Sequence, residues 1–155
     1  GERIRRFDTL EGIDVERLRG LLEDGFGKKL FVDYFEKKKF FRIYLADSYR
    51  ATAILTLEDG VPYLDKFAVT KDAQGDGIGA SLWQRIAQEN DKLFWRARVD
   101  NDVNPWYFAR STGTYRAESW IVFWYGLTDF HEIERCVRSA LGMPASLKAK
   151  PEAPS

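Results

Sequence analysis

Tyr63-Leu64-Asp65-Lys66-Phe67-Ala68-Val69 is followed by Gln74-Gly75-Asp76-Gly77-Ile78-Gly79, and then by a run in which Ile78, Leu82 and Ile86 recur at helical spacing. A strand, a glycine-rich turn and a helix N-terminus in that order decide how the chain is read. Glycines let the backbone approach an anion, free N–H groups point outward, and the helix dipole favours negative charge. A phosphate-bearing ligand suits such a turn. A P-loop would end in Gly-Lys-Ser/Thr, but Ala80 follows Gly79, which sets a nucleoside triphosphate aside. Gly75-x-Gly77-x-x-Ala80 also fits a dinucleotide loop, with Asp100 about twenty residues on, where a ribose-binding acid would sit. That fingerprint normally opens a parallel βαβ sheet.

What precedes the loop is antiparallel. Phe40 to Ala46 and Ala51 to Glu58 read as strands joined by Asp47-Ser48-Tyr49-Arg50, and Asp59-Gly60 marks the next turn. Further upstream, Val15, Leu18, Leu21 and Leu22 give a helix from Asp14 to Asp24, and Tyr34 and Phe35 suit a short helix. Downstream, Leu93 to Val99 reads as a strand with Trp95, Ala97 and Val99 on one face and Phe94, Arg96 and Arg98 on the other. Asn104-Pro105 offers an N-cap and a first-turn proline for a helix carrying Trp106 and Tyr107. Trp120 to Leu127 is nearly all apolar, as a strand covered on both faces would be. Asp129 caps a last helix with Glu132 in its capping box, and Gly142-Met143-Pro144 ends it. The remainder reads as a loose tail.

The 155 residues fit one domain, and 45% hydrophobic with 31% charged excludes a disordered chain. Lys plus Arg and Asp plus Glu both number 24, so the basic excess of a general nucleic-acid binder is missing. The longest apolar run is too short to cross a bilayer. One cysteine, Cys136, and one histidine, His131, exclude metal clusters built from those ligands and any two-histidine mechanism. A single thiol suits a reducing compartment. The chain opens on Gly1 and reads as a piece of something larger.

Gln74-x-x-Gly77-x-Gly79 resembles the Q/R-x-x-G-x-G/A loop with which GNAT N-acetyltransferases hold the pyrophosphate of coenzyme A. In that fold an antiparallel hairpin leads into the strand before the loop. Three further segments narrow the resemblance: Tyr63-Leu64-Asp65-Lys66-Phe67, Phe94-Trp95-Arg96-Ala97-Arg98-Val99, and Asn101-x-x-Asn104-Pro105-Trp106-Tyr107-Phe108. With Phe26-Gly27-Lys28 and Trp120-Ile121-x-Phe123-Trp124-x-Gly126-Leu127, they are similar to the acetyltransferase domain of N-acetylglutamate synthases, shared by bacterial bifunctional synthase/kinases. The resemblance runs from about residue 20 to residue 145.

It implies an α+β fold, with a mixed, mostly antiparallel sheet flanked by helices. It places an N-acetyltransferase domain over residues 1–147 and a flexible tail over 148–155. It implies transfer of acetyl from acetyl-CoA, with no metal, to the α-amino group of L-glutamate in arginine biosynthesis. It also implies an upstream amino-acid-kinase domain and a homo-oligomer formed through it. The setting is bacterial cytoplasm or, in a eukaryote, the mitochondrial matrix. Family matching gives Lys28, Lys66, Phe67 and Arg96-Ala97-Arg98-Val99-Asp100-Asn101 as glutamate contacts. Coenzyme A falls to the backbone of Ala68 and Val69 and to Gln74-Gly75-Asp76-Gly77-Ile78-Gly79-Ala80.

The residues agree with that chemistry. Glutamate carries two carboxylates, and Arg96 and Arg98 leave one face of a strand together. Tyr107 stands where related acetyltransferases keep the tyrosine that protonates the departing thiolate, and Asn101 is a positioning group beside it. Tyr63 and Tyr115 are the other candidates. Asp76 departs from what the loop wants, being an acid beside a doubly charged ligand. Two other readings stay open: a non-catalytic module that binds acetyl-CoA or an amino acid and regulates a neighbouring kinase, and an acetyltransferase for protein lysine.

Overall fold

The computed structural model describes residues 2–149. They form one sheet, ordered β1-β2-β3-β4-β5-β7-β6. The strands are β1 (Ile4–Phe7), β2 (Phe40–Ala46), β3 (Ala51–Glu58), β4 (Val61–Val69), β5 (Leu93–Arg98), β6 (Gly113–Arg116) and β7 (Trp120–Tyr125). Among the described residues the helices are α1 (Val15–Phe26), α2 (Tyr34–Lys37), α3 (Ile78–Glu89), α4 (Asn104–Arg110) and α5 (Phe130–Leu141). The mixed, mostly antiparallel sheet expected from the sequence is present, and β2 and β3 have the predicted bounds. Strands β1 and β6 were not foreseen. Ile4-Arg5-Arg6-Phe7 and Gly113-Thr114-Tyr115-Arg116 are four-residue edges with exposed charged or polar positions, so neither shows the alternation that marks a strand.

Each sheet face is covered by its own helices. Leu55, Leu64, Trp95, Ala97 and Phe123 bury against Leu82, Trp83 and Ile86 of α3. On the opposite face, Ile43, Leu45, Ile54 and Ala68 bury against Leu18, Leu21 and Leu22 of α1, with Tyr34 and Phe35 of α2. Farther along that same face, Tyr63, Phe94 and Val122 pack on Cys136 and Ala140 of α5. The predicted alternation of β5 is what separates Trp95 from Phe94.

Two caps differ from the sequence reading. Val103, not Asn104, is the N-cap of α4. The Asn104 side chain instead donates to the carbonyls of Arg98 at 2.8 Å and Val99 at 3.3 Å, joining the Asn101 N–H, which also donates to the Arg98 carbonyl, in closing the turn out of β5. Asp129 does cap α5 by accepting from the Glu132 N–H at 2.9 Å. Glu132 does not return the bond, since its carboxylate meets Lys92 at 3.0 and 3.1 Å.

The expected tail is also different where it is described. After α5 the chain crosses back, with Leu147 bridged to Leu30 and the Lys148 N–H donating to the Lys29 carbonyl at 2.7 Å. Residues 150–155 of the tail lie outside the described residues.

Gly126 ends β7 at φ 75°. A Cβ there would collide with the Asp91 carbonyl oxygen, just ahead of β5. Gly126→Ala is therefore expected to destabilise the domain by at least about 2 kcal/mol in chemical denaturation, from strain and steric conflict together.

Candidate active site

Strands β4 and β5 run parallel and share one registered pair, Tyr63 with Phe94. Beyond it they part. On its other side β4 stays bonded to β3 through Phe67, Ala68 and Val69, opposite Ala53, Thr52 and Ala51. The side of Phe67–Val69 that faces β5 therefore presents backbone groups outside the ladder, the Val69 carbonyl accepting only from the Gln74 side-chain amide at 3.4 Å, and an extended ligand can add there as a strand would.

Beyond Val69 the chain makes a short 3-10 turn, Lys71–Ala73, and reaches the glycine loop. Gly75 and Gly77 have φ of 94° and 81°, a conformation that costs glycine little. A Cβ at either would enter open space, so the backbone itself is the surface a ligand meets. Gly77 caps α3 without a side-chain bond. The first bond of that helix is from the Ser81 N–H to the Gly77 carbonyl, which leaves the N–H groups of Ile78, Gly79 and Ala80 free for an anion. Asp76 does not oppose it strongly, because its carboxylate turns to Arg50 at 3.4 Å.

The opposite face holds a cleft of about 440 Å³ between the end of α1 and the segment Met143–Leu147 that follows α5. Its cations are Lys28, Lys66, Arg96 and Arg98, and its acids are Asp65, Asp100 and Asp102. A bulge builds one wall. Ile54 pairs with Lys66 and Leu55 with Leu64, so Asp65 is an extra residue in β4. Consecutive strand residues normally point to opposite faces, whereas here Asp65 and Lys66 both reach the α2 side. The Asp65 carboxylate accepts from the Tyr34 hydroxyl at 2.6 Å, Lys38 at 3.1 Å and Lys66 at 3.2 Å.

Burial pushes the Asp65 carboxyl up, but Lys66 and Lys38 beside it and the Tyr34 hydroxyl prevail, holding it below its ordinary range. Burial lowers Lys66, and Asp65 limits the fall. On the far wall, Arg96 and Arg98 lie over the Trp120 ring at 3.9 and 4.5 Å, and Arg96 donates to the Ala140 carbonyl at 3.0 Å. Trp120 faces Arg98 across β5 and β7, so pairing of the strands fixes both guanidiniums.

Of the residues expected to meet glutamate, Lys28, Lys66, Arg96, Ala97, Arg98, Asp100 and Asn101 line this one cleft. Phe67 and Val99 do not line it, and both pack toward the α3 core. Asn101 accepts from the Val103 N–H at 3.0 Å, so its carbonyl is engaged in the turn before α4. Tyr107 is buried on the α3 side, its ring 5.6 Å from Trp95 and 5.4 Å from Phe123. Burial raises its phenol well above the ordinary value. Tyr63 lines the cleft, and its phenol is raised by burial and Asp65 and lowered by Arg96. Tyr115 is half exposed on β6. Cys136, on α5, is buried, and burial lifts its thiol to about 11, which disfavours the thiolate a nucleophile needs.

Residues 5–142 match the family model described as the N-acetyltransferase of N-acetylglutamate synthase. The chain belongs to this family. It is 45% identical over 142 residues to a Xanthomonas campestris protein called acetylglutamate kinase, covering 88% of this chain and 33% of that one. It is 43% identical over 150 residues to the mitochondrial N-acetylglutamate synthase of Homo sapiens, covering 94% and 28%. The chain thus spans about a third of the length of these relatives.

Among solved structures, the N-acetylglutamate synthase of Neisseria gonorrhoeae, complexed with coenzyme A and N-acetyl-glutamate, superposes with TM-score 0.56 at 17% identity, over 79% of this chain and 35% of that one. The PaiA N-acetyltransferase of Thermoplasma acidophilum, in complex with coenzyme A, gives 0.58 at 14% identity, over 79% and 98%. At such identities the likeness is one of fold, and the fold is that of the GNAT acetyltransferases. The family resemblance and the fold class read from the sequence therefore hold.

Met143–Leu147, which also line the cleft, were missed as site residues. Their composition signals only a tail. The Asp65 carboxylate holds two ammonium groups at its buried position, so Asp65→Asn should cost about 3–5 kcal/mol of stability, the usual effect of breaking a buried pair. Denaturation of the variant at neutral pH checks it.

Proposed function

We propose that the chain transfers acetyl from acetyl-CoA to the α-amino group of L-glutamate, giving N-acetyl-L-glutamate and coenzyme A. One observation carries the reading. The cationic cleft and the anion-accepting start of α3 lie on opposite faces of the sheet, and the parting of β4 from β5 joins them. A cofactor held by its pyrophosphate at Gly77–Ala80, with its pantetheine along Phe67–Val69, would bring its thioester to that gap. A dicarboxylic amino acid would reach it from the other side, held by Lys28, Arg96 and Arg98 against the wall that Lys66 braces.

The amine must be neutral to attack the thioester carbonyl carbon. As the carbon–nitrogen bond forms and the carbon–sulfur bond breaks, the electron pair goes to sulfur; the nitrogen gives up a proton to water, and the thiolate takes one. Tyr107 stands on the cofactor side, and burial keeps its phenol protonated, as a donor must be. Asn101, at the mouth of the cleft, would position the chain entering α4. On this reading the domain serves arginine biosynthesis. It would be joined to an amino-acid-kinase domain and oligomerise through it, in the bacterial cytoplasm or, for a eukaryotic source, the mitochondrial matrix.

Thiol release from acetyl-CoA with each common amino acid as acceptor tests the function. Glutamate should be preferred to glutamine by about 10-fold or more, since one charge-assisted bond is worth roughly 1.5–3 kcal/mol. Equal rates would remove the dicarboxylate pocket.

Tyr107→Phe keeps the ring in its aromatic cluster, so the fold should persist. Loss of the proton donor should lower kcat by about 10²–10⁴-fold while the KM for acetyl-CoA changes much less. A kcat within a few-fold of the parent would make Tyr107 a packing residue and move the role to Tyr63 or water.

A further inference from the structure

Lys66 lies in the acceptor cleft, yet its ammonium is fully engaged by the protein. It donates to the Asp65 carbonyl at 3.1 Å, to the Asp65 carboxylate at 3.2 Å and to the Ser146 hydroxyl oxygen at 2.6 Å. An ammonium has three N–H donors, so none is left for a substrate. Its side chain is only 6% exposed. A carboxylate entering the cleft thus meets whatever Lys66 is bonded to on the cleft side.

That group is Ser146. Its Oγ accepts from Lys66, which leaves its own proton to give, and among the described residues no acceptor is placed for that proton. Donation from a cation draws electron density from the oxygen and strengthens the hydroxyl as a donor. Ser146 is half-buried and lines the same cleft as Arg96 and Arg98. Its backbone is anchored independently of its side chain. The Phe31 N–H donates to its carbonyl at 3.0 Å, and the next residue, Leu147, is bridged to Leu30. The hydroxyl is therefore held in place before any ligand arrives.

We infer that Ser146, in the strap that follows α5, determines acceptor specificity by donating its hydroxyl proton to a carboxylate of the bound anionic amino acid, with Lys66 polarising it from behind. This rests on the acceptor reading above and adds to it a residue outside every segment that carried the family resemblance. Arg96 and Arg98 supply charge from the β5 wall, while Ser146 supplies a directed donor from the wall opposite.

The test uses the full 155-residue chain and its Ser146→Ala, Ser146→Thr and Ser146→Cys variants, with initial rates measured against glutamate at saturating acetyl-CoA and against acetyl-CoA at saturating glutamate. Ser146→Ala should raise the KM for glutamate about 10-fold or more, as loss of a bond to a charged group does. Both kcat and the KM for acetyl-CoA should stay within about threefold, because the bond is made alike in ground and transition states. Ser146→Thr, which keeps the hydroxyl, should restore the KM. Ser146→Cys, of similar volume and weaker as a donor, gives the same reading should the alanine variant not fold. A parent active on glutamate with an unchanged KM in the alanine variant overturns this inference alone, as does a threonine variant no better than alanine. A parent that releases no thiol with glutamate overturns the proposed function, and this inference with it.

Discussion

Everything in the site follows from the single registered pair that β4 and β5 share, Tyr63 with Phe94. A parallel pair that continued would close the sheet and bury the backbone of Phe67–Val69 in a ladder. Because it stops, β4 keeps one bonded edge, to β3, and offers the other. The two residues of the pair also pack ring to ring, with centroids 4.8 Å apart, on the face that α5 covers. Aromatic contact thus holds the strands together at the one point where hydrogen bonding does. On either side of that point different chemistry can be mounted, since alternation along β5 sends Trp95 toward α3 and Arg96 toward α5.

The bulge at Asp65 is the second constraint. Without it, Asp65 and Lys66 would take opposite faces, and an ion would be driven into the aromatic core around Trp83 and Trp95. With it, both ions share a face, and Tyr34 and Lys38 complete their bonding. The cluster is costly to bury, so its value lies in geometry more than in stability. Lys66 is fixed by three bonds, and a fixed ammonium can orient Ser146 in a way a solvent-exposed lysine cannot.

Legibility in the sequence followed physical range. The hairpin β2–β3, the amphipathic helices and the alternation of β5 are local patterns, and they were read from residues a few positions apart. The glycine loop was readable for the same reason. Strands β1 and β6 were not, because an edge strand is stabilised by its one neighbour and needs no hydrophobic face of its own. The strap from Met143 to Leu147 was hidden more thoroughly. Its residues carry no periodicity, and what pins it are backbone bonds to Lys29, Leu30 and Phe31, over a hundred positions away. Phe67 and Val99 show the opposite effect. They stand within motifs that carry site residues, but the pleat turns their side chains into the α3 core.

The two anionic partners proposed for the domain would be held by different physics, and the composition of each site shows why. At the start of α3 the donors are backbone N–H groups, whose partial charges are fixed by the helix and need no counter-ion when the ligand is absent. That loop can therefore tolerate Asp76 once Arg50 turns its carboxylate aside. The acceptor cleft relies on full side-chain charges, and four cations packed together would repel one another when empty. Asp65, Asp100 and Asp102 offset that repulsion, and the Trp120 ring takes both guanidiniums on its face. The acids also repel carboxylates, which leaves the wall carrying Arg96 and Arg98 as the favoured side for an anion. An α-ammonium on the same ligand would be drawn toward the acids at the β5 exit, Asp100 and Asp102. Such a field would favour an amino acid lying end to end, with its side-chain carboxylate toward the arginines and its amine toward the turn before α4.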